Sequence, residues 1–458
     1  MPWSSRLLRP MIKPAVTKNR IRLFLLVVSI FLICYILKLN LAIPLFLFCL
    51  LAYLKFQTYY KKYSLLNITL LFVTIFVTAY FIIEKGWPIY FIPFCAVSML
   101  TTLLFNQLDL SLIVTLASAV AIASITGNNL YLWLLFFIGG VSSSILIRGG
   151  RLRRITIIRI GLVTGALQAV TFFFIEQFSG NRLNILYPAK YLILILNGVV
   201  SSIIVIGVLP VFEYLFKTAT DISLLELADF RHPLLQRMVL EAPGTYHHSL
   251  VVGNLSEAAC DVVGANALLA RIGAYYHDIG KLQKPDYFSE NQVIKESKHD
   301  SLSPMMSRLV IMNHVKEGVE LANKYRLNPR LIDFIQQHHG DSLVYYFYRR
   351  ALEGLEGEQQ IKEDGFRYPG PKPNTKETAI VLLADSVEAA TRALKEPTPK
   401  KVEEVVHKII NNKFIDGQLD ECDLTLKDLE NISAVFIRIL SGIYHSRITY
   451  PEVNASSE

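Results

Sequence analysis

Charge is scarce in this chain. Asp, Glu, Lys and Arg make up 18% of its 458 residues, while hydrophobic residues reach 52%; an ordinary soluble domain carries about 25% charged residues. The shortage excludes a disordered chain and a purely soluble one. Cysteine is rare too, with five residues at irregular spacing, which excludes a disulfide framework. Histidine is missing from the first 231 residues, all ten lying from His232 onward. Acid is nearly missing from the same part: residues 1–216 hold 18 Lys+Arg but only Glu84, Asp109, Glu176 and Glu213. The rest holds 28 basic and 34 acidic residues. The apparent pI of about 9 therefore belongs to the apolar half and gives no support for a nucleic-acid polymer as partner.

What residues 1–216 do contain is apolar runs long enough to span a bilayer, which takes roughly 17–25 helical residues. Eight are read: 21–37, 39–54, 63–83, 87–105, 110–126, 130–147, 155–175 and 190–212, the second being short and holding Pro44. Basic residues cluster in the N-terminal tail (Arg6 to Arg22), at Lys55, Lys61 and Lys62, and at Arg148, Arg151, Arg153 and Arg154. With alternating spans these segments share one side, so both termini are expected in the cytoplasm. No small-residue cleavage site follows the first run, which is therefore not read as a signal peptide. The few acids sit at span ends or just past the last one. A transport path would need charges within the spans, so a sensor or anchor fits better than a pump.

From residue 217 the periodicity is helical almost throughout, so the expected fold class is all-α: a polytopic membrane domain (1–216), a juxtamembrane coupling segment (217–244), a cytosolic helical domain (245–450) and a disordered tail (451–458). Residues 221–240 read as the segment leaving the last span, 245–263 and 266–279 as two helices, and 376–395, 398–412 and 425–444 as three more. Asn328-Pro329 and Thr398-Pro399 are N-cap and N1 pairs, with Gly340 closing the helix that Asn328 opens. Thr425 and Asp428 are spaced like a capping box. The stretch 365–375 reads as a connector or a rim to a site.

Seven residues in this half form an unusual set: His248, His277, Asp278, His314, His338, His339 and Asp385. Asp385 sits in an apolar helix, where a lone carboxylate is costly unless a cation or hydrogen-bond donor meets it. Imidazole and carboxylate together suit Fe, Mn or Zn. Seven ligands are too many for one ion, whereas two ions sharing one bridging carboxylate use them all. Two metals roughly 3.5–4 Å apart clamp a phosphoryl group for in-line displacement and acidify a water to hydroxide. A lone histidine is more often a core or capping residue, the reading given to His232, His407 and His445. His247 reads as a solvent-facing or supporting neighbour, and His299 is ambiguous.

The segments PGTYHHSLVVGNLSEAA, RIGAYYHDIGKL and QQHHG resemble the HD-domain phosphohydrolases of the HDIG type. With RYPGPKPNTKETAIVLLADSVEAATRAL and the multispan first half, the chain is similar to the seven-transmembrane HD family, the PgpH-type phosphodiesterases that cut cyclic di-AMP to the linear dinucleotide pApA. The resemblance implies a cytosolic HD domain on a multi-pass inner-membrane protein, with two Fe or Mn ions. It implies that His248, His277, Asp278 and Asp385 hold one metal, and that Asp278, His314, His338 and His339 hold the other, with Asp278 bridging. Members usually carry a large extracytoplasmic domain after the first span; here only the short stretch Lys38-Leu39-Asn40, which overlaps the start of the second run, separates the first two spans.

Lys281, just past HDIG, is the candidate for contacting substrate phosphate, since a cation there neutralises developing charge. Tyr246, Tyr287 and the 365–375 loop are candidates for the base pocket, with core packing or a plain connector as the alternative. Expected partners are a cyclic dinucleotide and the lipid bilayer, with dimerisation of the HD domains left open. Cyclic di-GMP or a mononucleotide is the alternative substrate. A non-catalytic dinucleotide receptor is the alternative class, and a complete ligand set argues against it.

Overall fold

The computed structural model describes residues 65–127, 130–148, 153–178, 189–292, 297–353 and 361–443. The first two expected spans, the 451–458 tail and His445 lie outside them. The chain divides into two compact units, Met1–Phe216 and Lys217–Glu458, and among the described residues no strand occurs, only an isolated bridge between Leu343 and Arg367. The chain is an all-α protein.

The first unit comprises α1 (Leu65–Glu84), α2 (Phe94–Phe105), α3 (Leu108–Ile125), α4 (Leu130–Arg148), α5 (Arg154–Phe178) and α6 (Ala189–Phe216). All but α2 are long and apolar enough to cross a bilayer, and the protein is a membrane protein. Large apolar side chains such as Leu162, Phe174 and Ile203 stay exposed on these helices, as lipid-facing surfaces require. The run expected to span at 87–105 departs from the reading. It forms a 3-10 turn at Ile89–Phe91 and then the 12-residue α2, whose residues are all buried. Pro88 and Pro93 cap these pieces; a proline cannot donate to a continuing helix, so one long element becomes two.

Small residues set the packing here. A Cβ on Gly198 of α6 would overlap the carbonyl oxygen of Gly161 on α5, and one on Gly140 of α4 would overlap Thr115. Buried hydroxyls are satisfied across helices: Ser98 pairs with Thr115 at 2.7 Å, Thr102 donates to Ser111 at 2.8 Å, and Ser111 pairs with Ser144 at 2.7 Å. Close approach and interhelical hydrogen bonds replace the hydrophobic drive that lipid cannot supply.

The second unit holds α7 (Asp221–Leu227), α8 (Pro233–Glu241), α9 (Pro243–Val262), α10 (Ala267–Tyr276), α11 (Pro304–Lys324), α12 (Pro329–Gln337), α13 (Tyr345–Glu353), α14 (Lys376–Arg392), α15 (Pro399–Ile415) and α16 (Leu426–Ile443). The 221–240 segment is not continuous: His232 caps α8, its Nδ1 accepting from the Leu234 N–H, and Pro233 takes N1. The helix expected to reach 279 stops at Tyr276, leaving His277 at its C-cap and Asp278 beyond it. The other caps follow their spacing. Asn328 accepts from Arg330 N, Thr398 from Lys401 N, and Thr425 and Asp428 exchange both bonds of a capping box.

The core is built around α14, where Ala379 through Ala384 are fully buried. Against it pack α9, α10 and α12, with Gly253 lying against the Tyr275 ring and Gly273 against Phe334. This arrangement brings the start of α9, the ends of α10 and α12 and the middle of α11 together beside Asp385 of α14.

Candidate metal centre

Each member of the seven-residue set arrives on a different support. His248 comes from the second turn of α9, His277-Asp278 from the C-terminal end of α10, His314 from mid-α11, His338-His339 from the end of α12, and Asp385 from α14. Their ligand atoms form three overlapping groups, each within 4.8 Å: His248, His277 and Asp385; His277, Asp278 and His338; and His314, His338 and His339.

Asp278 lies at the middle. Its Oδ2 is 3.2 Å from His277 Nε2 and 3.7 Å from His248 Nε2; its Oδ1 is 3.4 Å from His314 Nε2 and 3.5 Å from His338 Nε2. Each carboxylate oxygen thus faces its own pair of imidazoles. Asp385 Oδ1 lies 3.1 Å from His248 Nε2, and its Oδ2 lies 3.6 Å from His339 Nδ1.

The far side of four of the five rings is fixed by the fold. Nδ1 of His277 donates to the Ala274 carbonyl at 2.6 Å, Nδ1 of His314 to Ile311 at 2.5 Å, and Nδ1 of His338 to Ile335 at 2.9 Å. His248 Nδ1 meets Glu388 Oε2 at 2.5 Å. A proton held on Nδ1 leaves the Nε2 lone pair free to ligate, the usual support of a metal-binding histidine.

These residues fit a divalent metal, as three features of the structure show. Buried His277 Nε2 and Asp278 Oδ1 make no hydrogen bond, which is costly without a cation to receive their lone pairs. His314 Nε2 and His338 Nε2 face each other at 3.2 Å, although both Nδ1 atoms already donate elsewhere. The donor set is nitrogen and oxygen only, suited to first-row divalent ions. Electrostatics agree. Burial lowers His314 to about 4, keeping it neutral near pH 7. Burial would raise Asp278, but His277 and Lys281 outweigh it and hold the carboxylate well below its ordinary range. His248 stands apart: burial opposes its charge, but in the absence of a cation Asp385 and Glu388 outweigh burial and hold its pKa up, at about 9, so a metal at Nε2 would have to take the place of that second proton.

Lys281 is not a free cation. Its Nζ sits 2.7 Å from Asp278 Oδ2 and 2.7 Å from Glu290 Oε1. Glu290 in turn accepts from Thr245 Oγ1 at 3.2 Å, and Asn291 holds Thr245 N–H at 3.0 Å. A Cβ on Gly244 would overlap the Glu290 backbone, so the PGT start of α9 is shaped to seat this turn. Two residues that sequence reasoning missed therefore support the centre. Glu388 had a weak signal, three residues after Asp385 and so on the same helix face. Glu290, in a 3-10 turn between motifs, had none.

The other candidates divide. Tyr246 packs against Phe230, and Tyr287 lies under Lys298 and against His299. In the 365–375 stretch Tyr368 is buried and stacks on His339, with centroids 4.3 Å apart, so this stretch borders the centre. His247 and His407 are exposed. His299 is buried and donates from Nε2 to the Tyr287 carbonyl at 2.9 Å, outside the metal groups.

Comparison with known proteins agrees with this layout. Residues 21–220 match the family described as 7TM receptor with intracellular HD hydrolase, and residues 245–390 match the HD domain. The chain is 42% identical over 369 residues to the cyclic-di-AMP phosphodiesterase PgpH of Bacillus subtilis (strain 168), covering 79% of this chain and 51% of that protein. It is 47% identical over 257 residues to the cyclic-di-AMP phosphodiesterase PgpH of Listeria monocytogenes, covering 56% of this chain and 35% of that one. The chain thus spans about half, or less, of the relatives it matches. A crystal structure of the L. monocytogenes PgpH HD domain in complex with cyclic-di-AMP is 47% identical, with a TM-score of 0.46, and covers 47% of this chain and all of that one.

Proposed function

We propose a function on this premise: the chain belongs to the family of 7TM receptors with an intracellular HD hydrolase. It is a membrane-anchored, metal-dependent phosphodiesterase that hydrolyses a cyclic dinucleotide, with cyclic di-AMP cut to pApA. The observation that carries this reading is Asp278, whose two oxygens each face a separate histidine pair within 3.7 Å. That geometry serves two ions sharing one carboxylate.

His248, His277, Asp278 and Asp385 would hold one ion, and Asp278, His314, His338 and His339 the other. Iron or manganese suits five imidazoles with two carboxylates. When bound, the ions supply a strongly acidified water and positive charge at the phosphoryl oxygens. The chain's own residues set the rest. Backbone carbonyls and Glu388 orient the imidazoles of His248, His277, His314 and His338. Lys281, clamped by Glu290, balances the charge of Asp278 and fixes its plane. Tyr368 and the half-exposed His339 border the side from which a substrate reaches the centre.

The second unit, from residue 217 on, faces the cytoplasm in this reading, because α5 and α6 return the chain to the side that carries the basic cluster Arg148, Arg151, Arg153 and Arg154. The juxtamembrane helices α7 and α8 connect the spans to the catalytic unit in sequence, and the reading gives them the role of passing on what the spans sense.

The test is a substrate panel. Full-length chain purified in detergent and loaded with Mn²⁺ is given cyclic di-AMP and cyclic di-GMP in parallel, and products are separated by chromatography. The reading requires pApA to form faster than the guanine product. A preference for cyclic di-GMP would overturn the substrate while leaving the centre standing. Binding of either dinucleotide without metal and without turnover would favour a receptor.

A further inference from the structure

An anionic dinucleotide carries two phosphodiesters, and the centre receives one of them. Lys281, the cation that sequence spacing suggested for phosphate, is held between two carboxylates. Arg367 is taken by Glu363 and Asp416, and Lys372 by the Gly417 carbonyl and Asp341. Lys413 differs from all of these. It lies in the last turn of α15, beyond the residues that match the HD domain. Its side chain is half-buried, and among the described residues no carboxylate lies within ion-pair distance of its Nζ; it donates to the Ser342 hydroxyl at 2.7 Å.

That bond places Lys413 beside the open side of the centre. Ser342 N–H donates to the His339 carbonyl at 3.1 Å, and the Ser342 carbonyl accepts from Tyr368 N–H at 3.0 Å. His339 is 22% exposed, where the other four histidines of the set are nearly fully buried. Burial pulls the Lys413 ammonium below its ordinary range, and the nearby charges of Asp385 and Asp416 do not restore it. An ammonium that is desolvated and lacks a counter-ion is a poor structural element and a good anion ligand.

We propose that Lys413 is a substrate-binding residue, holding the second phosphodiester of a cyclic dinucleotide while the first lies on the Asp278 centre. The assignment rests on the cyclic-dinucleotide reading above. It also gives the helices C-terminal to the matched HD region a task, since α15 brings a cation to the His339 side of the centre.

The experiment compares two phosphodiesters on full-length, Mn²⁺-loaded protein: cyclic di-AMP, with two phosphates, and bis(p-nitrophenyl) phosphate, with one. For Lys413→Met the ratio of kcat/KM for cyclic di-AMP to that for the single phosphodiester should fall about 10- to 100-fold, the loss of one charge-assisted hydrogen bond, mainly through KM. Lys413→Arg, which keeps the charge, should restore the ratio to within about threefold of the unmodified chain. Should the methionine variant not fold, Lys413→Gln removes the charge and keeps a polar group beside Ser342, and it carries the same comparison. A ratio unchanged in the neutral variant, whether both activities persist or both fall together, overturns the proposal. An unmodified chain that cuts the single phosphodiester and leaves cyclic di-AMP intact would instead overturn the substrate reading, before any variant is made.

Discussion

Glu388 offers a sharp test of how the centre is held. Its Oε2 receives His248 Nδ1 at 2.5 Å, and both side chains are almost fully buried, at 3% and 2% exposed. Glu388→Ala leaves a buried ring N–H without an acceptor, at a cost of about 1–3 kcal/mol, and frees the ring to rotate. Loss of such a supporting partner typically weakens metal binding about 10- to 100-fold. Glu388→Gln keeps an acceptor and loses the charge, so about 1 kcal/mol, or roughly fivefold, is expected. The effect should be confined to the ion held by His248, His277 and Asp385, because His314, His338 and His339 take their support from other groups. Calorimetric titration with Mn²⁺ should therefore show one weakened site and one unchanged site. At saturating metal, a tenfold weaker site lowers the unfolding free energy by about 1.4 kcal/mol. Unchanged affinity at both sites in Glu388→Ala, or equal weakening of both, would refute the assignment of His248 to one ion.

Other consequences follow from contacts already described. A Cβ at Gly280 would overlap the carbonyl oxygen of His314, so Gly280→Ala should cost about 3 kcal/mol or more; a melting temperature equal to that of the unmodified chain would show that α11 yields. Glu290→Gln leaves Lys281 with one carboxylate, and kcat at saturating metal should fall about tenfold; steady-state kinetics with an unaltered kcat would remove Glu290 from the machinery. Burial would raise Asp416, but Arg367 and Gln418 hold it below 3.8. Its stabilising contribution is then complete above that value and lost as pH falls through the folded pKa. Asp416→Asn should flatten stability against pH below about pH 4 in chelator-treated protein, and an acid limb as steep as before would count against the pairing.

All seven proposed ligands were legible because histidine and aspartate are costly on apolar helix faces, so their presence at such positions advertises a cation. The caps at Asn328, Thr398 and Thr425 were legible for a similar reason, since short polar side chains beside proline or acid satisfy local backbone donors. Glu388 and Glu290 were hidden, because glutamate is ordinary on helices and turns and only tertiary placement gives it a task. Lys413 was hidden in the same way, being one of several lysines in an amphipathic helix. The setting of Lys281 was hidden as well, because its spacing from HDIG places it near the centre without showing that Glu290 waits on its other side. In the membrane half, hydropathy located the apolar runs, whereas the break at Pro88 and Pro93 shortened α2 below spanning length. Hydropathy averages over a window and does not see a single missing N–H.

The central claim is that Asp278 is shared by two metal ions that cut a phosphodiester. Metal content and cyclic di-AMP turnover, measured on the same full-length samples of the unmodified chain and Asp278→Ala, test it most directly. The account predicts about two ions per chain and formation of pApA in the first, with both ions and product lost together in the second. Turnover that survives in folded Asp278→Ala, or an unmodified chain that loads metal and leaves every phosphodiester intact, would contradict it.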